Sequence, residues 1–363
     1  MSARRTSARP IGLLVGLCAV GLAIVSYALV VEPRVGWAAL LVAAVFGVTI
    51  AIGGALFAAI HVATGARWWR PLRGASMDVA RTLIVPALAL AIVLALGTKT
   101  LYPWAHGGEH ISHSKAAWLN PPFFWARSIG IMLVWFAFVS ALRSHIHAEG
   151  SRGLVRRGIA FLVAFAVTIS VAFWDWTMSL EPEWFSTMYG VYGFAGSLQA
   201  GIAAIALVSL YRGGRDQPVH ELGTVLFSFS LFWGYIWYSQ GMLIWYANLP
   251  EETMHYAHRL TGGWTMWFWL NPIINLVIPI VALMSRHAKK SRLVVGQVAL
   301  VIVVGHFLDV LLLVGPAVST TSLLPLSALG AALAVVALML LVFARSRHVA
   351  TAPPFGSVAE TNP

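Results

Sequence analysis

The chain has 363 residues, of which 59% are hydrophobic and only 10% are charged. A soluble globular domain carries about 25% charged residues, so this composition excludes an ordinary soluble fold. The net charge of +11 requires no nucleic-acid partner, because the basic residues cluster in alternate connections between apolar segments, as in membrane proteins. We expect contact with membrane lipids instead.

Ten apolar segments follow one another along the chain, each long enough to cross a bilayer as an α-helix. Their apolar runs are continuous, which argues against the alternating strands of a membrane β-barrel. The predicted helices cover 11–31, 36–62, 80–98, 122–142, 157–176, 188–211, 220–246, 263–284, 293–314 and 323–344.

The sequence therefore predicts an all-α integral membrane protein with about ten transmembrane helices. We expect one polytopic domain over 1–344, packed as two four-helix bundles plus a final helix pair. The segment 345–363 contains Pro353, Pro354 and Pro363, and it is predicted to be a disordered cytoplasmic tail.

The basic residues predict the orientation. Of the 24 Lys and Arg residues, 19 lie at the termini or in connections on the same side as the termini. The five on the opposite side are Arg34, Lys99, Lys115, Arg127 and Arg259. Loops rich in Lys and Arg remain in the cytoplasm. Both termini are therefore predicted to be cytoplasmic, and the other side is called the outer face below.

Ionisable and amide side chains inside the apolar segments are candidates for function. His306 and Asp309 are three residues apart, so they lie on one helix face. They are predicted either to carry protons or to form a buried pair. Asn271 and Asn275 flank Pro272 and are four residues apart. They could join helices or line a polar pathway beside the proline-loosened backbone.

The fifth helix ends in carboxylates and tryptophans at the outer face. Asp175 stands between two tryptophans, and Glu181 and Glu183 follow within ten residues. A solvated rim explains the two glutamates. Burial raises the pKa of a carboxyl group, so Asp175 is a candidate proton acceptor.

The sequence offers no cysteine-bound redox centre. Cys18 is the single cysteine, whereas iron–sulfur clusters and c-type haem need several. Only His306 is plainly buried, which argues against b-type haem. His106, His110 and His113, with Glu109, have a spacing that a metal could use, but a solvated loop explains them equally. We predict no metal site, and no haem or iron–sulfur cluster in this chain.

Three stretches resemble the ActF-type integral membrane subunit of alternative complex III, a quinol:cytochrome c oxidoreductase. They are FWDWTMSLEPEWFSTMYGVYGFAG (173–196), FWGYIWYSQGMLIWYANLPEET (232–253) and WFWLNPIINLVIP (267–279). The resemblance implies ten transmembrane helices in a fold related to the NrfD-type membrane subunits of polysulfide reductases. It also implies a place in the bacterial cytoplasmic (inner) membrane.

The resemblance further implies partners and a role in respiratory electron transport. The expected partners are a paralogous NrfD-like membrane subunit, a periplasmic iron–sulfur subunit and c-type cytochromes, with cytochrome c or a terminal oxidase as electron acceptor. Electrons would pass through those subunits, while this chain would contribute a proton pathway. A quinone such as menaquinone is a candidate ligand.

Other residues are candidates for a quinone pocket or for docking of partner subunits. They are Trp176, Glu181, Glu183, Trp237, Tyr238, Gln240, Asn248, Glu251 and Glu252. The chain would not be catalytic alone. Two alternatives remain open, which are a structural scaffold with no quinone or proton role and a stand-alone transporter.

Overall fold

The computed structural model describes residues 8–106, 113–146, 151–213 and 217–350. Throughout these ranges the secondary structure is helical, with no β-strand. Nine of the described helical segments are long and apolar enough to cross a membrane. The predicted all-α, multi-span membrane fold is therefore confirmed.

Ten long helical segments correspond to the ten predicted ones. They are α1 (Ala8–Val31), α2 (Pro33–Ala63), α3 (Arg70–Leu101), α4 (Pro121–His145), α5 (Arg152–Trp176), α6 (Met188–Arg212), α7 (Val219–Ala247), α8 (Gly262–Leu283), α9 (Arg292–Val318) and α10 (Leu323–Ala350). The helix α7 is absent from the nine apolar spans, since serine, glutamine, tyrosine and tryptophan interrupt its apolar sequence. The last helix continues past the predicted boundary at 344, and the rest of the predicted tail, 351–363, lies outside the described residues.

Two helices change their hydrogen-bond pattern within the span. In α3 a π-helical turn covers Val93–Gly97, and in α8 another covers Ile273–Val277, directly after Pro272. Proline lacks the backbone N–H that an α-helix needs, and π-helical turns often accompany functional sites. The π turn in α8 lies beside the polar residues described below.

The helix α2 is at the centre of the molecule and is buried along almost its whole length. It contacts α3 and α5, and these three helices form a four-helix group with α4. It also contacts α6 and α9, which belong to a second four-helix group, α6–α9. The remaining pair is α1 with α10. This pairing differs from the predicted one, in which the last two helices would pack together.

Close contact between α2 and α6 depends on two glycines. A Cβ atom on Gly53 would overlap the carbonyl oxygen of Ser197, and a Cβ on Gly201 would lie 2.5 Å from the carbonyl carbon of Gly53. Small residues let membrane helices approach closely. The two four-helix groups therefore meet backbone against backbone at this point.

We expect Gly53→Val to lower the free energy of unfolding by about 1–3 kcal/mol or more, because overpacking forces the backbones of α2 and α6 apart. Thermal melting of the purified chain in detergent measures this loss. Gly130→Val is the matched control, because a Cβ at Gly130 of α4 meets nothing within 4 Å. Equal melting temperatures for the two variants would contradict the close contact.

Candidate functional site

Asp309 on α9 is the centre of a buried polar network. Its carboxylate is 2% exposed and accepts hydrogen bonds from the Tyr192 hydroxyl on α6, from Trp233 Nε1 on α7 at 3.2 Å and from Asn271 Nδ2 on α8 at 2.9 Å. A carboxylate at this depth is costly unless such donors surround it. Four helices thus converge on one ionisable group.

The two asparagines predicted on α8 extend this network. Asn275 Nδ2 donates to Asn271 Oδ1 at 2.7 Å. The backbone carbonyl of Asn275 lacks its normal helical partner because Pro279, four residues later, has no N–H. Gln199 Nε2 on α6 donates to that carbonyl at 2.9 Å. Proline in α8 therefore leaves a backbone carbonyl free to take part in the polar network. The two asparagines line this network and also join helices.

His306 does not pair directly with Asp309, which corrects one of the two predicted arrangements. Its Nε2 lies 2.7 Å from Thr49 Oγ1 on α2. Both residues nevertheless face Gly196 on α6. A Cβ there would lie 3.3 Å from His306 Cε1 and 3.7 Å from Asp309 Oδ2. The pair shares one helix face, as its spacing predicted, but each member has its own partners.

A second cluster surrounds Glu181 at the outer face. Its carboxylate lies 2.6 Å from His255 Nδ1, 3.2 Å from His258 Nδ1 and 3.2 Å from Arg259 Nη1. These three residues belong to a short helix, Pro250–Leu260, between α7 and α8. His255 and His258 are not among the residues predicted from the sequence. The i, i+4 spacing of His255 and Arg259 was the available signal, since it puts both on one helix face.

Arg259 also connects this cluster to α9. It is 3% exposed, and its Nε donates to the Leu312 carbonyl at 3.0 Å, while Nη2 donates to the Leu313 carbonyl at 3.3 Å. The Leu312 carbonyl is available because Pro316, four residues later, has no N–H. One guanidinium therefore donates both to the Glu181 carboxylate and to backbone carbonyls of the proline-interrupted turn of α9.

Burial and charge set the protonation of the outer cluster. Burial raises the pKa of Glu181, but the Arg259 charge and the bonds to both histidines outweigh it and lower the pKa to about 2. Burial, together with the Arg259 charge, lowers the pKa of His255 to about 4. At neutral pH the cluster therefore contains an ionised Glu181 beside a neutral His255, which also stacks on Trp184 at 3.7 Å.

A small cavity separates the outer cluster from Asp309. Its volume is about 30 Å³, which is room for about one water molecule. It is lined by Tyr192, Trp237, Gln240, His255, Tyr256, Arg259, Phe268, Asn271, Asp309, Leu312 and Leu313. The cavity thus places polar groups of the outer cluster and of the Asp309 network around one water-sized space.

Asp175 belongs to a separate ion pair. Its carboxylate has no exposed surface and accepts two bonds from Arg127, from Nε at 2.6 Å and from Nη2 at 2.9 Å. Trp118 Nε1 adds a third at 3.0 Å. Bidentate pairing with arginine is the strongest geometry for a carboxylate. The structure therefore favours a structural ion pair over the proton acceptor considered above.

The residues predicted to form a quinone pocket do not lie together. Trp237 and Gln240 line the water-sized cavity, whereas Trp176 is buried against Ser128 and donates to its hydroxyl. Tyr238 is 60% exposed, on the outside of α7. Asn248 ends α7 in a left-handed conformation, a common helix-ending role for asparagine. Exposed or partly exposed positions at the outer face are occupied by Glu183, Glu251 and Glu252.

In the described part of the chain, no group of three or more His, Cys, Asp or Glu side chains could hold a metal ion. Of the loop considered as a metal site, Glu109 and His110 lie outside the described residues.

No protein-family model matches the chain, and no curated protein matches its sequence significantly. The fold and the network define the class directly: the chain is a multi-span, all-α membrane protein with a hydrogen-bonded carboxylate buried among its helices.

Proposed function

We propose that this chain is the membrane subunit of a respiratory quinol oxidoreductase of the alternative complex III type, in which it provides a proton pathway between Asp309 and the outer face. The three stretches that resemble the ActF-type subunit support the choice of complex. Electrons pass through the iron–sulfur and haem subunits of the complex in this proposal. The complex resides in the bacterial cytoplasmic membrane.

One observation carries the proton role. His255 and Arg259, which both contact Glu181 at the outer face, and Asp309 within the helices line a single cavity of about 30 Å³. Proton transfer needs donor and acceptor in direct contact or bridged by one water. A water in this cavity would bridge the neutral His255 and the Asp309 network. Further inward, Asn271 and Asn275 continue the polar contacts.

Around Asp309 the geometry supports a proton role better than a quinone role. The cavity there holds about one water molecule, far less than a quinone ring requires. In the proposed complex the quinol is oxidised at the paralogous subunit, and this chain handles protons.

Asp309→Asn in the intact complex tests the proposal. The amide cannot exchange protons, so we expect proton transfer through Asp309 to slow by about 100-fold, the lower end for removal of an acid–base group, and the protons released per electron to fall to those of quinol oxidation itself. Quinol-dependent cytochrome c reduction should persist. Stopped-flow pH indicator signals and reduction rates, measured together, separate the two effects. Glu183→Gln, which removes an exposed carboxylate of the outer face, is the matched control.

A scaffold role is the competing function, and the exposed acidic side chains of the outer face favour it. Glu183 and Glu251 are available to basic or haem-bearing partner subunits. If Asp309→Asn leaves both proton release and reduction unchanged in a correctly assembled complex, the network is structural. The proton proposal would then be wrong.

A further inference from the structure

The outward face of α7 carries a continuous stripe of large side chains. They recur at intervals of three and four residues, which puts them on one face of the helix, and they are Leu231, Tyr235, Tyr238, Met242 and Trp245, all exposed. None of the five is charged. At 1.5 Å per residue the stripe is about 20 Å long, so it covers most of the hydrocarbon thickness of a bilayer.

Two tyrosine hydroxyls of this stripe lie at hydrocarbon depth. Tyr235 is midway between Glu221 and Asn248, the polar residues near the two ends of α7, and about 20 Å from each at 1.5 Å per residue. Tyr238 is one turn nearer the outer end. Side chains on a helix tilt toward its N-terminus, which for α7 is the predicted cytoplasmic end. This tilt carries both hydroxyls away from the outer interface and its water.

Neither hydroxyl has a hydrogen-bond partner in the described part of the chain, although Tyr235 and Tyr238 are 65% and 60% exposed. Lipid tails offer no acceptor, and a hydroxyl without one in an apolar medium is costly. The exposed Tyr27 differs, because it lies one turn from the outer end of α1, where tyrosines commonly sit at the membrane–water interface. The stripe of α7 therefore fits a protein surface that brings acceptors to the depth of Tyr235 and Tyr238.

A second copy of this chain meets that requirement. Both copies have the same orientation in the membrane, so a closed dimer has its two-fold axis along the membrane normal, and each residue near the axis faces its own counterpart at the same depth. A tyrosine hydroxyl both donates and accepts, so two facing tyrosines satisfy each other. The uncharged stripe brings no like charges together at this contact.

We propose that two copies of this chain form a dimer through the outward face of α7, with Tyr235 and Tyr238 hydrogen-bonded across the two-fold axis. The contact leaves the Asp309 network untouched, because Trp233, which donates to Asp309, is buried on the opposite face of α7. The inference therefore stands apart from the proton pathway.

Disulfide cross-linking in membranes tests the contact, because the chain has only one cysteine, Cys18, which is buried. In a Cys18→Ala background, oxidation of Tyr238→Cys should join two copies into a covalent dimer on a non-reducing gel. Val163→Cys, at an exposed position in the middle of α5, is the matched control and should remain monomeric. A dimer band no stronger for Tyr238→Cys than for Val163→Cys would overturn the proposal, and so would a cross-link to a different protein only.

Sedimentation equilibrium of the purified full chain in detergent measures the strength of the contact. Tyr235→Phe and Tyr238→Phe keep the rings and remove only the hydroxyls. Each should raise the dissociation constant of the dimer roughly threefold, the usual effect of one interhelical hydrogen bond in a membrane, whereas Tyr27→Phe should leave it unchanged. Equal dissociation constants for the three variants, or a monomer at every concentration, would mean that lipid alone covers this face, and the proposal would be wrong.

Discussion

Arg127→Met should lower the free energy of unfolding by about 3–5 kcal/mol, the usual cost of removing one partner from a buried ion pair. The carboxylate of Asp175 has no exposed surface, and only 9% of the Arg127 side chain is exposed. Without the guanidinium, Asp175 keeps one neutral donor, Trp118. Unfolding in mixed detergent micelles, followed by tryptophan fluorescence, measures the change.

The double variant Arg127→Met/Asp175→Asn makes this test specific. It removes both charges, so it should be more stable than Arg127→Met alone, because no buried charge is left unpaired. Arg34→Met removes an exposed arginine of the same face and should change stability by less than about 0.5 kcal/mol. If Arg127→Met resembles Arg34→Met, the ion pair contributes nothing.

The same variants decide whether Asp175 acts in the chemistry. In the proposed complex, unchanged quinol-dependent cytochrome c reduction by the double variant would remove Asp175 from the mechanism. The bidentate contact with Arg127 predicts this result. Two charge-assisted bonds from one guanidinium fix the carboxylate in place, which is the geometry of a structural ion pair.

The positions of the helices follow from the sequence because bilayer thickness and helix rise determine how long each apolar segment must be. Helix packing does not follow in the same way. The pairing of α1 with α10 depends on contacts between the two ends of the chain, such as Gly21 against the Gly330 carbonyl. A hydropathy pattern describes each segment alone and contains no information about such contacts.

The candidate site was predictable only in part, for a similar reason. Asp309 and Asn271 stand out as polar residues in apolar segments, and the structure brings them together. Tyr192 and Trp233 do not stand out, since aromatic residues are common in membrane helices. From the sequence, Arg259 is predicted only as a basic residue of an outer loop. Its burial depends on the free carbonyls of α9 and on Glu181, which are distant in sequence.

Acidification should destabilise the protein through the outer cluster in two stages. The pKa of His255 is lowered from 6.5 to about 4 in the folded protein, so the unfolded chain binds the extra proton between these values and stability falls. The pKa of Glu181 is lowered from 4.5 to about 2. Its contribution is complete above pH 4.5 and is lost as the pH falls toward 2. Melting temperatures in detergent between pH 7 and pH 4 follow the first stage.

Arg259→Met should change both the stability at pH 7 and the dependence of stability on pH. At pH 7 the variant should be less stable by about 3–5 kcal/mol, because Glu181 loses its arginine partner in a largely buried site. Removal of the Arg259 charge also lets the pKa of His255 rise toward 6.5, since that charge helps to lower it. The loss of stability between pH 6.5 and pH 4 should therefore become smaller than in the unmodified chain.

His258→Gln provides the comparison for this effect. The His258 side chain is 47% exposed and contacts the same carboxylate at 3.2 Å, so its removal should leave the pH profile nearly unchanged. A profile of unchanged slope in Arg259→Met would mean that Arg259 does not control the protonation of His255. Burial alone would then account for the low pKa of His255, which is its largest cause.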